Sequence, residues 1–482
     1  MNEASPGRLV LSEALGVLPP EWPHSLLPKL RSRRIKAREK VVVVDDDPTG
    51  AQTVHDVSIL TRWSTTSLRS ELADDSPAFF LLSNSRSLPL AEARALNKDI
   101  GLELAEASRT LERRLVVISR SDSTLRGHFP GEMEALEEGL GGGFDAWFLI
   151  PFFREGHRYT IGDIHYAAED GWLVPVGGTD YAKDATFGYS SSNLKSWVEE
   201  KTEGRVRAED VTSISLEEIR LGGPSRVAEL VLGLRRGSVC VVNAASLRDL
   251  EVFTLGVSEA EAKGRRYLYR TAASFVQVRI GQGRSHLLTR RELKLSGSEG
   301  GLVVVGSHVP KSTAQLESLL KDDTKVAAVE VDAETLLDEN GRADEISRVV
   351  RLTEARLSRG EDVVVFTSRK VLIGGLPDAS LTVAQKISDG VAAVVHGISR
   401  RPRYVLTKGG VTSADIATKA LGVRRAFVLG QIAEGVPVWR LGPESRFPGL
   451  AYLIFPGNVG GLDALTEVVE ALGLKTGTKG SS

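Results

Sequence analysis

Short β-branched runs alternate with helix-period segments along most of this chain. Val41 to Val44 are consecutive apolar β-branched residues, the pattern of a strand covered on both faces in a parallel sheet. Further runs stand at 78–82, 115–118, 147–150 and 239–242, with helical spacing over 91–113, 132–140 and 217–234. That alternation predicts βαβ units. The stretch Leu293 to Gly301, rich in Ser, Gly and Glu, reads as a boundary. A second alternation follows, with strands expected at 302–305, 326–331, 362–366, 404–406, 426–429 and 451–455. The expected fold class is α/β in two domains, each a mainly parallel sheet flanked by helices. Residues 41–292 form the first and 301–474 the second, preceded by an N-terminal extension over 1–40 and followed by a disordered tail over 475–482.

A length of 482 residues agrees with two cores rather than one. Lys and Arg (61) nearly balance Asp and Glu (63), giving a net charge of -2, which argues against a dedicated nucleic-acid binder. Cys240 is the single cysteine and lies in the apolar run 239–242, so it reads as a core thiol of a reducing compartment. No apolar run approaches a membrane span, and the first residues lack the layout of a secretion signal. A cytoplasmic protein with no membrane or nucleic-acid partner is expected. The basic stretch Lys29 to Lys40 reads as a solvated helix or linker.

Chemistry concentrates where the runs end. Val41 to Val44 lead into Asp45-Asp46-Asp47-Pro48-Thr49-Gly50. Adjacent carboxylates at a buried strand end repel one another unless they meet cations, donors or bound Mg2+. Asp-Pro-Thr-Gly is also good turn chemistry. An apolar strand followed by Asp-x-Asp-x-Thr also matches the opening of haloacid-dehalogenase-type phosphatases, with Asp45 or Asp47 as nucleophile. A second polar segment, Ser119 to His128, follows the run 115–118. Its Arg120, Asp122, Ser123 and Arg126 suit a polyhydroxy carboxylate, since guanidinium grips carboxylate and Asp and Ser bond hydroxyls. Helix capping by Asp122 or Ser123 is the plainer use of the same residues. His157 and His165 lack partners at metal-ligand spacing and read as structural histidines, so no protein metal ligands are expected.

In the second half, Gly306-Ser307 follows one strand, Gly409-Gly410-Val411-Thr412-Ser413 another, and Pro456-Gly457 a third. Glycine lets backbone approach phosphate closely, and Thr412 and Ser413 can bond it or cap a helix. The segment 306–313 is not a Walker loop, because Pro310 occupies the glycine place before Lys311-Ser312.

With these motifs in hand, the chain resembles the four-carbon acid sugar kinase family over about 41–472. Asp46 to Ala51 match its Asp-Asp-x-Thr-Gly-Ala opening, and Asp122 to Gly127 its Asp-Ser-Thr-Leu-Arg-Gly segment. The three glycine turns resemble those of its nucleotide-binding domain. This resemblance implies ATP-dependent phosphorylation of a terminal hydroxyl on a small sugar acid such as threonate, erythronate or 3-oxo-tetronate, with Mg2+, in an interdomain cleft. Asp46 or Asp47 would position or deprotonate the acceptor. Thr49, Gly50, Arg120, Asp122, Ser123 and Arg126 would bind the acid. Ser307, Gly409, Gly410, Val411, Thr412 and Gly457 would line the nucleotide. The partners implied are the acid, ATP and, in an assembly the sequence does not fix, a second copy of the chain. Asp45, Val411 and Pro456 depart from the family pattern and mark a divergent branch. A phosphatase or a non-enzymatic nucleotide or metabolite binder are the competing readings.

Overall fold

The computed structural model describes residues 7–109, 111, 113–295, 298–321, 326–369, 377–457 and 459–473, with the side chains of 377–382 set aside. The expected disordered tail lies outside the described residues. The chain divides into two compact units, 1–284 and 285–482.

The first unit is built on eight parallel strands: β1 (Glu39–Asp45), β2 (Val57–Leu60), β3 (Ala78–Leu82), β4 (Arg114–Arg120), β5 (Ala146–Ile150), β6 (Thr212–Ile214), β7 (Ser238–Val242) and β8 (Tyr267–Thr271). Their order is β6-β7-β5-β8-β4-β1-β3-β2, with every pairing parallel. From β1 the chain goes to the edge strand β2, returns to place β3 beside β1, and then crosses to the other side for β4. The carboxyl end of β1 is therefore a topological switch point, where an open α/β sheet leaves a crevice. Register places Leu82, Asp45, Arg120, Thr271 and Ile150 on one line across the sheet. The four valines of β1 are buried, as a strand covered on both faces requires. Helices Leu90–Ser108 and Gly131–Gly139 pack closely enough that a Cβ on Gly101 would come 2.8 Å from the Gly139 backbone.

Three features of this unit differ from the sequence reading. The 217–234 helix is two helices, Leu216–Arg220 and Gly223–Leu232. They are broken where Gly223 takes φ +66 and lies against the Trp22 ring. A small antiparallel sheet joins Leu9–Val10, Trp172–Pro175, Ile164–Glu169 and Arg158–Ile161 in that order. The basic N-terminal stretch is docked rather than solvated. Its helix Leu27–Lys36 buries Leu30, Arg31 Nη2 donates to Gly281 O at 3.0 Å, and Leu26 N–H donates to Glu251 Oε2 at 2.5 Å.

The second unit carries β9 (Leu302–Val305), β10 (Val326–Val331), β11 (Asp362–Thr367), β12 (Val405–Lys408), β13 (Arg425–Ala433), β14 (Val436–Leu441) and β15 (Ala451–Phe455). The order is β13-β14-β15-β12-β9-β11-β10, parallel from β15 to β10, with β14 antiparallel to both its neighbours. Strand β14 is additional to the expected set, formed by a hairpin across Glu434-Gly435. Again the first strand, β9, is the switch point, and Phe366, Val305, Lys408 and Phe455 lie on one line at the strand ends. Residues ahead of β9 already belong to this core: Leu293 is buried in it, and Leu288 N–H donates to Gln431 O at 2.6 Å.

Candidate functional site

The end of β1 turns on Asp47, whose Oδ1 accepts the Thr49 N–H at 2.8 Å and caps the 3-10 turn Pro48–Ala51. This turn folds Gly50 back over Asp45, so closely that any Cβ there would overlap the carboxylate. Asp45 is thereby sealed. Arg120, one strand over, reaches Asp45 Oδ1 at 3.3 Å and Asp46 Oδ1 at 3.7 Å. From beyond β3, Arg86 grips Asp46 at both oxygens, at 2.5 and 3.1 Å, and lies 3.6 Å from Asp47 Oδ2 and 3.7 Å from Asp122 Oδ1. Ser121 Oγ also donates to Asp46, at 2.8 Å. Gly127, at φ +117, keeps the way open, since a Cβ would stand 2.9 Å from Ser121 Oγ and 3.3 Å from Asp46 Oδ2.

The loop 121–127 is fixed through its own carbonyls. His165 Nε2 meets Ser123 O at 2.8 Å, Tyr189 Oη donates to Thr124 O at 2.7 Å, and Arg270 Nη2 donates to Arg126 O at 3.2 Å and to Ser121 Oγ at 3.1 Å. Burial pushes His165 down to about 4, so its ring is neutral. The carbonyl of Ser123 requires the proton on Nε2, which leaves Nδ1 to accept from Thr160 Oγ1 at 3.0 Å. His165 is therefore a structural histidine, as its isolation from metal-ligand spacing suggested. Within the loop Arg126 Nε donates to Asp122 Oδ2 at 2.8 Å, and its guanidinium lies 5.4 Å from the centre of the Tyr181 ring.

Electrostatics separate the acids. Burial raises Asp45 to about 8, with Arg120 opposing the rise and Asp46 and Asp47 adding to it. It is a neutral acid at pH 7. Burial also works against ionised Asp47, but Arg86, Arg120 and the bonds from Thr49 outweigh it and hold the group below the usual carboxylate range. Asp122 is likewise held low by Arg126 and Arg86 against its burial. Glu132, buried and close to Asp46, is pushed up to about 7 despite a bond from Ser85 Oγ at 2.5 Å. A sealed, protonated Asp45 is not a phosphatase nucleophile.

In the second unit, Gly306 packs against the Thr412 side chain so tightly that a Cβ would overlap Oγ1. Gly409 takes φ +113, its N–H donates to Phe455 O at 2.9 Å, and it opens the helix Gly410–Asp415. A Cβ on Gly409 would stand 2.9 Å from Ser307 Cβ, and one on Gly457 3.4 Å from Ser307 Oγ. Thr412 is nearly buried, whereas Val411 is 46% exposed. These glycines let the turns after β9, β12 and β15 close on one another around the Ser307 and Thr412 side chains, which fits the binding of a nucleotide's phosphates by backbone and hydroxyl groups. Lys408 is wholly buried, with Nζ donating to Pro456 O at 2.6 Å and Gly457 O at 3.4 Å. Burial, with Lys311 nearby, lowers it to about 7. Arg369 Nη1 holds the turn after β9 by donating to Ser307 O at 2.7 Å.

The structure thus gathers Asp46, Asp47, Thr49, Gly50, Arg120, Asp122, Ser123 and Arg126 around one strand-end crevice. It gathers Ser307, Gly409, Gly410, Val411, Thr412 and Gly457 around another. Arg120 turns inward to Asp45 and Asp46, while Arg126 stays nearer the surface. Arg86, Ser121, Arg270 and Lys408 were not foreseen. Arg86 carried a usable signal, a basic residue just past a strand end. Among the described residues no cluster of acids, histidines or cysteines could hold a metal ion.

Residues 41–279 match the model of a sugar-binding N-terminal domain, and residues 302–465 that of a nucleotide-binding C-terminal domain. No curated protein matches the chain. Among solved structures, a Haemophilus influenzae protein of domain-of-unknown-function family 1537 is 19% identical over 89% of this chain and 99% of its own, with a TM-score of 0.58. A Salmonella typhimurium LT2 protein that bears the provisional name tRNA synthase is 15% identical over 90% and 98%, with a TM-score of 0.62. Both are likenesses of fold.

Proposed function

The chain belongs to the four-carbon acid sugar kinase family, and we propose that it is an ATP-dependent kinase acting on a terminal hydroxyl of a small sugar acid. Threonate, erythronate and 3-oxo-tetronate are the substrates this reading puts first. The observation that carries it is the coexistence of a sugar-binding and a nucleotide-binding domain, each with its polar or glycine-rich loops at the switch point of its sheet.

In this reading the acid's carboxylate is received by Arg126, and its hydroxyls by Asp122 and Asp47. Both oxygens of Asp46 are occupied by Arg86 and Ser121, so it acts as a fixed anion that aims Arg86. Asp47 is the better acceptor for the reacting hydroxyl, because its side chain is 14% exposed against 4% for Asp46. An ionised, low-pKa carboxylate is adequate, since phosphoryl transfer depends chiefly on in-line placement and charge neutralisation. The turns that carry Ser307, Gly409, Gly410, Thr412 and Gly457 would receive the phosphates. Mg2+ would be held by phosphate oxygens and water rather than by a protein cage, and would supply charge neutralisation on the phosphoryl group.

The test is ADP release with Mg2+ and ATP across a panel of four-carbon acids, with ATP hydrolysis without acid as control. Acid-dependent turnover supports the proposal; no turnover with any acid, together with no ATP binding by calorimetry, sinks it.

A further inference from the structure

The turn that carries Arg86 is pinned by a row of buried polar side chains. Past the end of β3, Asn84 takes φ +51 and opens the 3-10 turn Ser85–Ser87. Ser83 Oγ lies 2.9 Å from the Asp45 carbonyl oxygen, Ser85 Oγ 3.0 Å from Ser83 Oγ, and Glu132 Oε1 2.5 Å from Ser85 Oγ. Ser83, Ser85 and Glu132 are all buried. These contacts join the end of β1, the turn after β3 and the first turn of the helix Gly131–Gly139.

Counting hydrogens assigns the donor at each contact. A carbonyl has none to give, so Ser83 Oγ donates to Asp45 O. A hydroxyl has only one, and with that of Ser83 spent, the contact between the serines takes the hydrogen of Ser85. Ser85 then has none left for Glu132, so their contact is a hydrogen bond only when the carboxyl supplies the proton. An ionised Glu132 instead takes the Ser85 hydrogen and leaves the two serine oxygens facing each other without one, a costly arrangement for buried groups.

The surrounding charges bear on the same proton. Burial, first, and then Asp46 at the end of β1 favour the neutral acid, while Arg270 of β8 and Arg86 of the turn oppose them, with a balance at about 7. His128, just ahead of the helix, is lowered by burial, so at pH 7 its ring is neutral and adds no cation.

We propose that Glu132 is a positioning residue that works in its protonated form: its O–H, acting through Ser85 and Ser83, locks the turn that holds Arg86 to the end of β1. Its effect on turnover rests on the kinase reading; the proton itself does not. Losing the proton breaks the row and sets a further anion beside Asp46, in competition for Arg86, whose guanidinium serves Asp46, Asp47 and Asp122. The acceptor site is therefore locked at pH below about 7 and loosens above it.

Infrared difference spectra of the full chain against Glu132→Gln test the proton, and the pH profile of kcat/KM for threonate or erythronate tests its use. The expected result is a protonated-carboxyl band in mildly acidic buffer that is missing from Glu132→Gln and fades as pH rises through about 7. Over the same range kcat/KM falls by up to about tenfold per pH unit. Glu132→Gln, whose amide N–H donates to Ser85 as the acid does, moves that fall to higher pH, where Asp45 next titrates. Glu132→Leu, which offers Ser85 no donor, lowers kcat/KM at every pH. A band absent in acidic buffer, or a fall unmoved in Glu132→Gln, overturns the proposal. If the band is present and titrates near 7 while no acid is turned over, the protonated row stands and only the kinase reading fails.

Discussion

Arg86 grips Asp46 through both carboxylate oxygens, Nη2 to Oδ1 at 2.5 Å and Nε to Oδ2 at 3.1 Å. The same guanidinium lies within 4 Å of Asp47 and Asp122, so one cation serves acids from two strand ends. Removing it leaves the buried Asp46 carboxylate with only the Ser121 hydroxyl and the longer Arg120 contact. Arg86→Met should cost about 3–5 kcal/mol of stability, and Arg86→Lys less, because an ammonium keeps the charge but not the two-pronged geometry. Denaturant unfolding of the three proteins checks the order; equal stability of Arg86→Met and the parent would refute it.

Asp46 and Asp47 should separate by phenotype. Asp47→Asn should lower kcat by on the order of 100-fold while lowering the unfolding midpoint less than Asp46→Asn does. Asp46→Asn should lower the midpoint more, because it weakens the anchor of Arg86. Kinetics and thermal melts on the same preparations decide; the reverse pattern would make Asp46 the acceptor's partner.

Asp45 predicts a pH dependence with a defined sign. Its folded value is about 8, whereas an unfolded aspartate titrates near about 3.9. Between these values the folded state holds the extra proton. The stabilisation is fully present below the lower value and is lost as pH rises towards and through the upper one, at up to about 1.4 kcal/mol per pH unit. Asp45→Asn, which mimics the neutral acid, should flatten the fall in stability between about pH 4 and 8 relative to the parent. An unchanged slope in chemical unfolding across that range would contradict the assignment.

Much of this was readable in the sequence where local pattern and tertiary role agree. Four valines followed by three aspartates could only be a buried strand running into a polar end, and Asp122 to Gly127 and Gly409-Gly410 follow strands in the same way. The unread parts depend on partners distant in sequence. Arg86 matters through Asp46, forty residues away, and Arg270 is the penultimate residue of a strand, Tyr-Leu-Tyr-Arg-Thr, that lacks an aliphatic run. The break at Gly222-Gly223 had a local signal in Gly-Gly-Pro, and the Trp22 ring packs against Gly223 there. The role of Asp45, without an explanation in the sequence, comes from burial beneath Gly50, which no local pattern announces.

Lys408 ties the loop after β15 to the end of β12 through Pro456 O and Gly457 O. Lys408→Met should free that loop and weaken ATP binding roughly tenfold, about 1.4 kcal/mol, by calorimetry. Gly409→Ala should weaken it as well, since φ +113 disfavours a side chain and the new Cβ meets Ser307. Undiminished affinity in both variants would remove these loops from the nucleotide site.

The most direct measurement follows the phosphoryl group itself. The full chain, given ATP labelled in the γ-phosphate, Mg2+ and a four-carbon sugar acid, is analysed by mass spectrometry and phosphorus NMR. The account predicts one equivalent of ADP and the label in a monophosphate ester at the acid's terminal carbon. Label appearing only in inorganic phosphate, or remaining in ATP with every acid tried, would contradict it.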